Sequence, residues 1–441
     1  MAKKSEFSST FIPEAEQPYP VPDNWQWVKL STLVTPSKET TADFSSGIKY
    51  VGLEHMKTGA GIVSYGNSES VKSLKNVFYP GQILYGKLRP YLNKHDIATF
   101  SGVCSTDILV FNSNDCTSAE YINRYLDLDY FFEYVLSNSK GIHLPRVTES
   151  VVLNAACPLP PLAEQQRIVD RIDGLFAKLD AARDKAQAVL DGYELRKAAI
   201  LHRAFTGELT EQWRKDNGIS LDSWIHGKLI DALLDKPRNG YSPKPVDHPT
   251  PFKSMTLSAT TSGTFMPEHY KYINGPIPDD SYLWLQPGDI LMQRANSIEK
   301  VGTSALYTGK AHEFIYPDLM MKIRVKKEAS SEYIAYFLKS NDVMLFLRNN
   351  AVGIAGNMPK INQKTVSNIP VILPSIKEQR KIVQILDRLF LMESEVKDTS
   401  QRVIDSIDMM KKAILGRAFR GELGTNDPAE ECPEIANLRT N

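Results

Sequence analysis

Apolar residues recur at alternating steps of four and three along two long stretches of the chain. In the first they fall at Ile168, Ile172, Leu175, Leu179, Ala182, Ala186, Val189, Tyr193 and Ile200. In the second they fall at Ile382, Leu386, Leu389, Val396, Val403, Ile407, Met410 and Ile414. This spacing predicts two helices that pair through a narrow coiled-coil seam. Polar residues interrupt the seam at Arg196, Glu393 and Ser400. Pro161 and Pro374 stand at the helix starts, and Ser375 with Glu378 predicts a capping box. Gly207 and Gly421 follow the last apolar turns, where a helix end favours a left-handed residue. Each helix is about 40 residues, hence about 60 Å long. One such helix cannot hide its stripe alone. An antiparallel pair is expected, with a globular domain at each end.

The rest of the chain has shorter periods. Ile83–Leu88, Ile108–Phe111, Ile290–Met292 and Leu319–Val325 read as strands bounded by Gly, Pro and Asn. Ala119–Leu136 and Ser331–Leu347 read as helices. The expected fold class is mixed α/β: two globular domains separated by two long antiparallel coiled-coil helices.

The chain contains its own copy. Leu159–Phe176 and Leu373–Phe390 are identical at nine of 18 positions, at an offset of 214. Lys197–Leu209 and Lys411–Leu423 are identical at ten of 13, at the same offset. The segments between these blocks are therefore equal in length. Leu144-Pro145-Arg146-Val147 aligns with Met358-Pro359-Lys360-Ile361, and Pro80-Gly81-Gln82-Ile83-Leu84 with Pro287-Gly288-Asp289-Ile290-Leu291. One unit is present twice, with divergent globular parts and closely similar helices. This predicts pseudo-twofold symmetry. The expected division is a tail over 1–20, a first domain over 21–158 and a helical region over 159–212. A second domain over 213–372, a second helical region over 373–423 and a tail over 424–441 follow.

Composition excludes several classes. Among 441 residues, Lys plus Arg and Asp plus Glu both number 52, so the net charge is zero. That argues against a basic wrap around nucleic acid and against an acidic disordered tail. Four cysteines without a CxxC pair exclude a disulfide scaffold and a zinc ribbon. No apolar run reaches the length of a membrane span, and the first residues lack the apolar core of a secretion signal. A cytoplasmic location is expected.

Candidate chemistry is sparse. Gly81 to Lys87 matches GxxxxGK, but Leu88 stands where a phosphate loop needs Ser or Thr, and the intervening residues suit a strand. The eight histidines show no HExxH or HxH spacing, so no metal site is expected. No catalytic constellation emerges. Basic residues instead interleave with aromatics: Lys72, Lys75, Lys87, Arg89 and Lys94 lie among Phe78, Tyr79, Tyr85 and Tyr91 with no acid between. Cations suit phosphates and planar groups suit bases, so Lys72, Lys75, Tyr85, Lys87, Arg89 and Lys94 are candidate DNA contacts. The second copy offers Arg294 and Asn296, both able to read base edges, and the basic pair Lys322 and Arg324. Arg146 and Lys360 occupy equivalent positions and are candidate phosphate contacts. Two similar heads on a rigid spacer suit a bipartite DNA site.

The LPPLAEQQRIV and LPSIKEQRKIV starts, the AFTGEL and AFRGEL ends, and PGxIL in each head resemble the specificity subunit of type I restriction-modification enzymes, from about Trp25 to Leu423. The resemblance implies a non-catalytic chain whose heads are target-recognition domains, each reading half of a split, asymmetric DNA site. It implies that the helices set the spacing between the halves. It also implies two modification subunits that bind S-adenosylmethionine and methylate adenine, and two restriction subunits that use ATP and magnesium. Carried over by position, Glu164, Gln165, Phe176, Phe205, Gly207, Glu378, Gln379, Phe390, Phe419 and Gly421 would serve spacing and partner docking, beside a packing role for the helix pair.

Overall fold

The structure is a computed structural model that describes residues 11–42, 47–67, 73–353 and 358–431. The chain forms two compact units. The first comprises Met1–Gln187 with Arg402–Asn441, and the second Ala188–Gln401. Both long helices form. The central one runs over Leu162–Asp191 and Tyr193–Phe205, and the other over Ile376–Phe419 without a break. At Gly192 the helical bonding persists, from Gly192 N to Ala188 O and from Arg196 N to Gly192 O.

The first unit holds a four-stranded antiparallel sheet in the order 95–97, 83–86, 108–113, 34–36. A five-stranded sheet follows the order 40–41, 75–78, 102–104, 49–51, 66–67. Strand Ile83–Gly86 is buried at every residue, because it lies inside its sheet. This excludes a phosphate loop at Gly81 to Lys87. The second unit repeats the four-stranded sheet in the order 238–239, 320–323, 290–293, 304–306. Its second sheet has three strands, 245–246, 270–273 and 253–255.

The single helices expected over 119–136 and 331–347 are each two helices. They are Ala119–Tyr125 with Asp129–Ser137, and Ser331–Phe337 with Asn341–Asn349. No Pro or Gly marks the first corner. There Leu126 and Leu128 are both buried, and Asp127 between them reaches His95 Nε2 at 3.0 Å. Tertiary packing overrides local helix propensity here.

Each core is completed by helix residues from both repeats. In the first unit, Ile168, Val169 and Ile172 from the start of the central helix join Leu415, Ala418 and Phe419 from the end of the C-terminal helix. In the second, Ile382 and Leu386 join Leu201, Ala204 and Phe205. The paired segments run antiparallel within each unit. Lys411 Nζ meets Asp180 at 2.5 Å in the first, and Arg196 Nε meets Glu393 at 2.9 Å in the second. Two of the three polar interruptions of the seam, Arg196 and Glu393, thus pair with each other.

The expected tails are partly built into the first unit. Ile12 N donates to Trp27 O at 2.9 Å, and the Tyr19 ring packs edge-on to Trp27 at 4.8 Å. Beyond the C-terminal helix, Thr425 donates to Glu164 and Glu430 pairs with Arg167.

Candidate nucleic-acid interface

The PGxIL turn is built alike in both units with different chemistry. Gln82 Oε1 accepts from Tyr79 N at 2.7 Å, while its amide donates to Asn112 at 2.8 Å. In the second unit Asp289 accepts from Gln286 N at 2.8 Å and from the Arg324 guanidinium at 2.7 Å on both oxygens. A neutral pair in one head is a charged pair in the other. Arg324, expected on DNA, is therefore committed to a buried carboxylate.

Three other expected contacts lie inside the fold. Lys322 is buried in strand 320–323, inside the four-stranded sheet, where its Nζ donates to the carbonyls of Tyr282 and Trp284, the latter at 3.0 Å. Burial, with Arg324 and Arg238 nearby, pulls its pKa down to about 8, against the pull of Asp289. Tyr85 is 1% exposed and packs on Phe131 at 5.7 Å. Lys75 is buried and donates to Ser73 Oγ at 2.6 Å. As folded, none of the three presents its polar group to a passing duplex. Lys94 Nζ donates to Leu53 O at 2.7 Å. Lys72 lies outside the described residues.

The remaining residues converge. After strand 83–86, Lys87 O accepts from Val147 N at 3.0 Å and Arg89 N donates to Pro145 O at 2.7 Å. Lys140 and Arg146 exchange both backbone bonds, at 2.9 and 2.8 Å, closing a small loop. Lys87, Arg89 and Arg146, distant in sequence, thereby share one surface, and Lys140 joins them. The sequence signal for Lys140 was its place one residue before Gly141, whose φ of 106° turns the loop. Arg89 has φ 52°, a left-handed conformation that a side chain adopts only when held there. Arg146 Nε contacts Asp107 at 3.3 Å and remains exposed. Among the described residues, Lys87, Arg89 and Lys360 make no side-chain ion pair.

The second unit repeats the junction. Ile361 N donates to Arg294 O at 2.9 Å, Asn296 N to Pro359 O at 3.4 Å, and Val352 and Lys360 exchange backbone bonds at 2.8 and 3.0 Å. Arg294 Nη1 reaches Asp318 O at 3.3 Å, and the Asn296 amide is turned inward to Gln293. Arg89 is thus replaced by Asn296, and Lys140 by Val352.

The residues expected to dock partners are mostly interior. Glu164, Gln165, Glu378 and Gln379 are buried. Gln165 accepts from Ser118 N at 3.1 Å and donates to Pro160 O at 3.0 Å; Gln379 accepts from Ser330 N at 2.8 Å and donates to Pro374 O at 2.9 Å. Ser118 and Ser330 cap head helices, so each glutamine ties a long helix to a head. Glu378 accepts from Thr210 at 2.7 Å, Arg214 at 2.8 Å and Trp224 Nε1 at 2.9 Å. Its side chain is thereby diverted from the capping box, of which only the Ser375 half forms, at 3.3 Å. Phe205 and Phe419 are buried, and Gly207 and Gly421 adopt φ of 85° and 78° where a Cβ would strike Leu221 and Pro22. Phe176 and Phe390 are half-buried; Lys411 sits over the first ring at 4.9 Å, and Tyr336 packs on the second at 5.5 Å. Exposed large apolar side chains on the long helices are instead Leu195, Leu391, Met392 and Val396 in the second unit and Leu162, Val403, Met409 and Met410 in the first, so Val396, Val403 and Met410 of the expected seam face solvent.

Among the described residues no group of three His, Cys, Asp or Glu side chains can hold a metal ion. Burial pushes the Cys104 thiol up to about 12 and that of Cys157 well above its ordinary value, so neither is poised for nucleophilic chemistry. Among the described residues no helix is long and apolar enough to cross a membrane.

Two mixed α/β heads, each carrying a cationic two-loop junction and finished by a pair of long helices, define a two-headed recognition scaffold. Residues 22–190 and 262–404 match the type I restriction modification DNA specificity domain. The chain belongs to that family: it is a DNA-recognition subunit and not itself catalytic. The EcoKI specificity subunit of Escherichia coli strain K12 is 27% identical over 334 residues, spanning 75% of this chain and 70% of that protein. The HsdS subunit from Thermoanaerobacter tengcongensis has the same fold, with a TM-score of 0.64 at 22% identity, covering 92% of this chain and all of that one. A chain from a study of complex assembly and conformational transition in the type I R-M system gives 0.74 at 21% identity, with the same coverage.

Proposed function

We propose that each head reads one half of a bipartite DNA site through its two-loop junction. Lys87, Arg89, Lys140 and Arg146 act in the first head, and Arg294 and Lys360 in the second. The observation that carries this is the recurrence of the junction: in both heads the loop after the central strand is bonded to the Leu/Met-Pro-Arg/Lys loop, with cations at matching places. Phosphate contacts fix a head on the duplex, while the neighbouring loop residues reach base edges. The heads differ at Arg89 and Asn296, and at Lys140 and Val352, so the half-sites differ and the whole site is not a palindrome. Each base pair read contributes about 1–3 kcal/mol, so specificity is high only when both heads engage.

The long helices set the gap between half-sites and dock two modification subunits, with Leu391, Met392, Met409 and Met410 as the exposed apolar anchors. Those subunits bind S-adenosylmethionine and methylate adenine. Two restriction subunits bring ATP and magnesium chemistry, and the assembly works in the cytoplasm.

The test is charge reversal in the assembled methyltransferase. Arg146→Glu is expected to weaken engagement of the first half-site, and Lys360→Glu of the second, with DNA binding and methylation falling in both. Unchanged binding and methylation in both variants would remove the junction from the interface.

A further inference from the structure

Both heads place an exposed apolar residue immediately before the Pro–cation pair of the junction. Leu144 precedes Pro145-Arg146 and is 47% exposed; Met358 precedes Pro359-Lys360 and is 48% exposed. Beside them stand Ile142, 95% exposed, in the first head and Val352, 72% exposed, in the second. Scattered surface apolar residues are ordinary, but Leu144 and Met358 recur at one place in two heads whose other loops have diverged, whereas Val352 stands where the first head has Lys140. The loop that carries Ile142 and Leu144 is rigidly based. The Lys140–Arg146 bonds close it, Gly141 turns it, and Pro145 O anchors it to Arg89. Its neighbours are Lys140, His143, Arg146 and Arg89, all exposed cations or polar rings, and Arg146 engages the Asp107 carboxylate.

An apolar tip on a rigid stem inside a cationic rim matches how proteins wedge a side chain against the base stack while cations hold the flanking phosphates. Resting on the DNA-reading role proposed above, we infer that Ile142 with Leu144, and Met358 in the other head, press into the base stack of their half-sites and locally unstack it. The shared feature serves a step common to both halves, distortion of the duplex. The divergent residues around it serve base choice. The wedge adds contact with specific, deformable DNA and contributes no charge.

The test uses the full chain assembled with its modification subunits and duplexes carrying 2-aminopurine at successive positions of each half-site. The Ile142→Ser/Leu144→Ser double variant is expected to fold normally, since both side chains face solvent. It is expected to bind specific DNA about tenfold more weakly, the order of one lost base contact. The fluorescence rise should vanish in the first half-site only, and the salt dependence of binding should not change. Met358→Ser should do the same in the second half-site. Retention of the fluorescence rise and affinity in these variants overturns the wedge, as does loss of co-purifying modification subunits, which would make the tip a protein-docking point. Arg146→Ala separates the two proposals: it should lower the salt slope. An unchanged slope there would overturn the DNA-facing junction itself.

Discussion

The Phe419 ring lies 5.0 Å from that of Tyr121, so the last turn of the C-terminal helix is part of the first head's core. The second repeat does the same in reverse, with Phe205 5.6 Å from Tyr333. Each head is thus closed by the helix of the other repeat. Phe419→Ala is expected to destabilise the first unit by about 3–5 kcal/mol, the usual cost of removing a buried aromatic ring. Hydrogen exchange should show the loss in strands 83–86 and 108–113 first. Protection unchanged there would show that the first head is complete without that helix end.

Glu378 is buried with three donors, and among the described residues its charge is balanced by Arg214 alone, at 2.8 Å. Arg214→Met leaves that carboxylate unpaired, so a loss of about 3–5 kcal/mol is expected. The double variant Arg214→Met/Glu378→Gln should recover part of it. A double-mutant cycle on thermal unfolding checks this, and additive losses would contradict the pairing.

His95 is buried, with Nδ1 2.7 Å from Asn123 Oδ1 and Nε2 3.0 Å from Asp127 Oδ1. Burial by itself disfavours the imidazolium. The hydrogen bond and charge of Asp127, then Asn123 and Asp96, outweigh it and raise the pKa above 6.5. A raised folded pKa stabilises the protein below the unfolded value, and that stability is lost as pH rises through the folded one. Melting of the first unit should therefore fall as pH climbs above about 6.5, and Asp127→Asn should flatten the dependence. Equal slopes in the two proteins would contradict the assignment.

Much of the architecture is legible in the sequence because helical seams and self-similarity are long-range patterns. The 3.5-residue spacing marks both long helices, and the repeated AFxGEL marks their ends. What the pattern hides is which surface a conserved-looking residue serves. Repeated Gln165 and Gln379 are equally consistent with docking and with packing until their bonds to Ser118 and Ser330 are seen. Tyr85 and Lys322 read as surface residues because strands 83–86 and 320–323 are buried on both faces, so no alternation of polar and apolar separates inside from outside. The junction of Lys87 with Arg146 depends on the bonds of Val147 N to Lys87 O and of Arg89 N to Pro145 O, 60 and 56 residues apart in sequence, which no local spacing encodes.

The helix seam gives a further expectation. Removing four residues, one helical turn, from each long helix at facing positions near Asp180 and Lys411 keeps the antiparallel register. The preferred gap between half-sites should shorten, or methylation should cease. Sequencing the methylated motif reads this out, and an unchanged gap would show that the helices are not the ruler.

This chain is expected to choose a split target with two unlike halves. A single-molecule methylation map of the host, with and without the gene, tests it most directly. The expected result is a two-part, asymmetric, adenine-methylated motif that disappears on deletion. A palindromic motif, or a map that does not change in a host where the methyltransferase is expressed, would contradict it.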